Sequence, residues 1–122
     1  MPTGEALDAI KSADVIILGP GSLYTSILPN LVINGMGKAI ADSSAFKIYI
    51  CNIMTQQGET EKYSASEHLK AIIDHTNSDI VDACLVNNVS PSREMLKRYE
   101  LENSFPVLAD SAKIEDMGSL VF

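Results

Sequence analysis

The sequence predicts an α/β fold: a Rossmann-like open, mostly parallel sheet with helices on both faces. Three observations predict it. Short β-branched runs alternate with helical periodicity along the whole chain, which implies right-handed βαβ units. The run DVIIL at residues 14–18 is continuously apolar after its first residue, as in a strand covered on both faces. The 122 residues contain no internal repeat, low-complexity tract or linker, and suit one domain with a real core.

The elements follow in order. Residues 3–12 read as a short helix with Thr3 as N-cap and Ala6, Leu7 and Ile10 on one apolar face. The strand at 14–18 runs into GPGSLYTS, after which Pro29 precedes a helix over 31–42 that Gly35 and Gly37 weaken. KIYIC (47–51) is the second strand, and 52–63 a polar loop. Ser64 to Glu67 form a capping box that starts a helix to residue 76, with Leu69, Ile72 and Ile73 inward. A third strand lies within 80–86. Pro91 opens a charged amphipathic helix over 91–103, with Met95, Leu96 and Tyr99 as its apolar side. A short fourth strand is expected at 106–109, a helix at 111–117 and a last strand at 118–122. The opening helix feeds a central-looking strand, which reads as the later half of a larger α/β unit.

Composition narrows the function classes. Nine Lys and Arg stand against 16 Asp and Glu, a net charge of −7 with no basic stripe, which argues against nucleic acid as partner. No apolar run approaches the roughly 20 residues that span a bilayer, so no membrane partner is expected. The N-terminus lacks the pattern of a signal peptide. Cys51 and Cys84 form no CxxC and sit in apolar runs, so they read as reduced core thiols of a cytoplasmic protein. The Asn88-Val89-Ser90 sequon is then a chance match.

In an open parallel sheet, ligands bind beyond the carboxyl ends of the strands, which brings residues 19–26, 52–63 and 87–91 to one rim. Gly19 and Gly21 allow unusual backbone angles and close approach of a ligand, while Ser22, Thr25 and Ser26 offer hydroxyls. An ordinary strand-to-helix turn, capped by Ser22 or Thr25, accounts for the same residues. GPGSLY has Tyr24 where a dinucleotide fingerprint needs its third glycine, and there is no P-loop or nucleophile elbow. In the second loop Asn52, Thr55 and Gln56 carry groups suited to a sugar or base edge, or to tying loops together. His68 and His75 share a helix face but stand about 10 Å apart, too far to bind one metal ion. Glu59 and Glu61 lack a facing acid or base, so no general acid/base pair is visible.

The segments ADVIILGPGSLYTSILPNLVINGMGKAI and KIYICNIMTQQGETEKYSASEHLKAI resemble the YvcK-type branch of the CofD-like family, bacterial proteins labelled gluconeogenesis factors. The resemblance runs from Glu5 to the end and is strongest over residues 13–75. It implies a cytosolic Rossmann-like protein that binds a UDP-sugar, such as UDP-N-acetylglucosamine or UDP-glucose, and regulates carbon flux and cell-wall synthesis or cell shape. Site residues carried over are Gly19, Pro20, Gly21, Ser22 and Tyr24 in the first loop and Asn52, Met54, Thr55 and Gln56 in the second. Thr25 joins them on its hydroxyl. Nothing here matches the Gly-rich N-terminal segment of such proteins, so the chain resembles their C-terminal portion alone.

Two function classes follow. One is a nucleotide-sugar-binding regulator that requires no cofactor. The other is a CofD-like transferase of a phospholactyl group from a guanosine nucleotide, which needs a divalent metal and carboxylates to hold it. Neither rim loop contains an Asp, and this favours binding. A fragment acting only as an interaction module is a third, blander reading. An unpaired strand at the edge of the sheet would invite self-association into a homo-oligomer.

Overall fold

The computed structural model describes residues 1–77 and 79–122. Its centre is a four-stranded sheet in the order β1 (Val15–Leu18), β2 (Phe46–Ile50), β3 (Ala83–Leu85), β4 (Leu120–Val121). Every neighbouring pair is parallel, with Ile17 opposite Ile48, Ile48 opposite Ala83 and Ala83 opposite Leu120. The predicted α/β class and parallel sheet are observed.

Sequential order has a consequence for the layers. Right-handed crossovers between strands laid down in one direction all fall on one side of the sheet. The crossovers supply a π-helical turn (Leu23–Ile27), α2 (Leu28–Leu31), α3 (Met36–Asp42), α4 (Ala65–Thr76) and α6 (Ser111–Asp116). Helix α1 (Gly4–Ser12) packs on α3, and α4 packs on α6. Leu18, Tyr49 and Cys84 point into this layer and are buried, whereas Ile17 is 58% exposed. On the other face of β1, Val15 and Ile17 are exposed. The strand at 14–18, read as covered on both faces, is covered on one. Among the described residues β1 is an edge strand, paired only with β2.

Local chemistry sets the helix ends. Thr3 accepts a hydrogen bond from the Ala6 amide at the start of α1, and Ser64 accepts from the Glu67 amide at the start of α4. Along α4, Leu69 and Ile72 are fully buried against the sheet, each stabilising by roughly 1.5–3 kcal/mol. The helix expected over 31–42 breaks at Gly35, whose φ of 91° leaves the right-handed region, so α2 and α3 are separate. α5 is shorter than the 91–103 expected, spanning Arg93–Glu100 behind an N-cap at Ser92. The strand expected at 106–109 is no member of the sheet. Its Pro106 makes an isolated antiparallel bridge with Met54, and the Val107 amide bonds to the Ile53 carbonyl at 2.8 Å. No helix among the described residues is long and apolar enough to cross a membrane.

Candidate functional site

The first loop leaves β1 through a backbone only glycine accepts readily. Gly19 has φ 99°, and a Cβ there would sit 3.0 Å from the Ile50 carbonyl oxygen. The Gly19–Pro20 peptide is cis. Gly21, which could take a positive φ, does not; a Cβ there would meet Ser26 Cβ at 3.1 Å. The close approach of Gly19 to Ile50 holds the two loops side by side at the carboxyl end of the sheet, as the topology predicts.

Beyond Gly21 the chain winds into the π-helical turn, closed by the Ile27 amide on the Ser22 carbonyl at 3.0 Å. This turn buries Leu23 and Ile27 and leaves Thr25 and Ser26 exposed. Ser22 caps nothing with its side chain. Tyr24 turns away from the rim. Its hydroxyl meets the Tyr63 hydroxyl at 2.9 Å, and its ring packs edge-on against Tyr63 and His75. The bond to Tyr63, with burial adding to it, pushes the Tyr24 phenol up to about 12. Tyr24 therefore fastens the loop to α4.

The second loop divides in the same way. Thr55 is buried with both polar groups engaged: its amide donates to the Phe105 carbonyl at 2.7 Å, and its hydroxyl accepts from the Phe105 amide at 3.0 Å. The Gln56 amide bonds to the Thr60 hydroxyl at 2.9 Å, but its side-chain oxygen is buried without a partner. Asn52 is half-buried, and its side chain makes no hydrogen bond among the described residues.

Between these loops lies a groove of about 590 Å³, large enough for a small ligand. Pro20 and Ser22 line it from the first loop, and Asn52, Met54, Thr55 and Gln56 from the second. Gly19 and Gly21 shape its backbone, while Tyr24 and Thr25 lie outside its lining. A third wall, which sequence reasoning missed, comes from Tyr99, Glu102 and Ser104 at the end of α5. The one available signal was the composition of α5, a highly charged helix carrying a single tyrosine.

The groove holds no evident nucleophile. Burial pushes the Cys51 thiol up to about 12, and Cys84 likewise, so both stay protonated. Tyr49 is raised further, by burial first and then by Cys51. His68 is fully enclosed: burial lowers its pKa, and its Nδ1 donates to the Ser64 carbonyl at 2.8 Å. Glu59 does not line the groove. Among the described residues no three His, Cys, Asp or Glu side chains converge as metal ligands would.

The family model described as 2-phospho-L-lactate transferase CofD matches residues 1–122. A gluconeogenesis factor of Halalkalibacterium halodurans is 50% identical over 117 residues, covering 96% of this chain and 36% of that protein. A gluconeogenesis factor of Bacillus subtilis is 45% identical over 117 residues, covering 96% of this chain and 37% of that one. A crystal structure of a Bacillus halodurans protein aligns with a TM-score of 0.97 at 49% identity, over 99% of this chain and 39% of that one. The chain spans little more than a third of the length of the curated relatives it matches. Motif, fold and full-length match agree: the chain belongs to the CofD family.

Proposed function

We propose that this chain is part of a cytoplasmic regulatory protein that binds a nucleotide sugar, UDP-N-acetylglucosamine or UDP-glucose, and links carbon flux to cell-wall synthesis or cell shape. The observation that carries this reading is the groove: it gathers the free Asn52 and Gln56 amides and the Ser22 hydroxyl, without a nucleophile or an acid/base pair. Such groups recognise the hydroxyls and base edges of a neutral ligand portion. The two relatives' name, gluconeogenesis factor, supports the regulatory part.

The transferase reading is favoured by the family description. Phospholactyl transfer of that kind calls for a divalent cation; among the described residues no three His, Cys, Asp or Glu side chains converge, and Glu102 is the one carboxylate lining the groove. Binding is the better-supported role for this chain.

Titration with a panel of UDP- and GDP-linked compounds, with and without magnesium, separates the two. Saturable binding of UDP-sugars that is indifferent to magnesium is expected. Magnesium-dependent binding of a guanosine compound would favour the transferase, and no binding by any compound would remove both roles from this chain.

A further inference from the structure

The third wall of the groove differs in character from the other two. α5 buries none of its residues fully, and only Leu96 and Tyr99 are half-buried. The turn after it is closed on the Tyr99 carbonyl, which accepts from the Glu102 and Ser104 amides at 2.9 Å each. The following residue, Phe105, is pinned to Thr55 by two hydrogen bonds. Thr55 thereby places Tyr99, Glu102 and Ser104 against the second loop, and this explains why a residue facing the groove has no free polar group of its own.

Glu102 is the one charged side chain that lines the groove, while Lys97 and Arg98 stand in the last turn of α5 outside that lining. The Glu102 carboxylate makes no hydrogen bond or ion pair among the described residues. No Lys or Arg lines the groove. A diphosphate is repelled here, whereas hydroxyl donors are attracted. Tyr99 is half-buried beside Glu102 and offers a flat apolar face.

Resting on the nucleotide-sugar reading above, we infer that this wall is the sugar subsite. Glu102 accepts hydrogen bonds from neighbouring ring hydroxyls, Tyr99 packs against the C–H face of the ring, and Asn52 and Gln56 close on it from opposite. The diphosphate lies away from Glu102. A ribose presents the same paired hydroxyls as a hexose, so the test must tell the two apart; the wall is assigned to the hexose.

Amide chemical shifts of the labelled chain are followed in titrations with UDP-N-acetylglucosamine and with UDP, up to millimolar ligand. UDP-N-acetylglucosamine is expected to move the signals of residues 99–104 and 52–56, and UDP to leave 99–104 in place. In Glu102→Gln, whose side chain is exposed and bears no structural bond, the affinity for UDP-N-acetylglucosamine relative to UDP should fall at least about tenfold. Movement of 52–56 without 99–104, or an unchanged ratio in the variant, overturns the sugar subsite and leaves nucleotide-sugar binding standing. Equal movement of 99–104 by UDP assigns the wall to the ribose and overturns the hexose. No movement with either ligand overturns both the subsite and the binding role of this chain.

Discussion

The two rim loops leave neighbouring strands side by side, yet they use their side chains in opposite ways. In the first loop Leu23 and Ile27 enter the core and Tyr24 locks onto Tyr63. Its contribution to a ligand site is shape, set by Gly19 against Ile50. In the second loop the Asn52 side chain makes no hydrogen bond among the described residues and the Gln56 side-chain oxygen is buried without a partner, while Thr55, Thr60 and Tyr63 are committed to structure. A row of hydroxyls in sequence is therefore a poor guide to chemistry. What matters is which of them the fold has already engaged.

The largest effect should come from the first loop. Gly19→Val puts a branched side chain where φ is 99° and the Ile50 carbonyl oxygen stands 3.0 Å away. Strain of this kind costs on the order of 1–3 kcal/mol, and the clash with backbone adds to it. Urea unfolding should show a loss of about 3 kcal/mol or more. Wild-type stability would mean that the loop is pliable and does not shape the groove.

An intermediate effect should appear with pH, at the exit of the second loop into α4. Burial lowers the His68 pKa below its ordinary 6.5, so the unfolded chain binds the proton more readily. Its contribution is complete above about pH 6.5 and is lost as pH falls below that value. Asp110 is pushed up by burial, but hydrogen bonds from the Ser66 hydroxyl and amide and from Ser64 outweigh this and hold it below its ordinary 3.8. Its contribution is present above that value and disappears as pH falls through the lowered one. Unfolding at a series of pH values should therefore show two acid-side declines, each no steeper than about 1.4 kcal/mol per pH unit. His68→Phe should remove the upper decline; its persistence would assign the proton to another group.

The smallest stability effect belongs to the second loop. Asn52→Ala should change unfolding free energy by less than about 0.5 kcal/mol, because the amide has no partner to lose. Loss of nucleotide-sugar affinity in the same variant would complete the contrast with Gly19. A large destabilisation would show that Asn52 ties the loops together.

Much of the fold is legible in the residues. The apolar runs read at 14–18 and 47–51, the cap at Ser64 and the alternation of elements give the parallel sheet and its rim directly, with the second strand observed one residue earlier. The number of covered faces is not legible, because an apolar strand reads the same whether or not a partner layer is present. The segment at 106–109 misleads for a related reason: it is extended and apolar, but it pairs antiparallel with the second loop and not with the sheet. At the site, the loops were found from glycine and amide chemistry. Tyr99 and Glu102 were not, since their placement depends on hydrogen bonds between residues 50 apart, Thr55 and Phe105.

The central claim is that the carboxyl-edge groove takes the neutral portion of a nucleotide sugar and supplies no cation for its diphosphate. Calorimetry with UDP-N-acetylglucosamine, on this chain and on the Halalkalibacterium halodurans relative in one buffer, tests it most directly. A relative whose further residues supply two or three charge-assisted hydrogen bonds to the diphosphate, at roughly 1.5–3 kcal/mol each, should bind at least a hundredfold more tightly than this chain. Comparable affinities would contradict the account, because the groove between residues 19–26 and 52–56 would then be a sufficient site by itself.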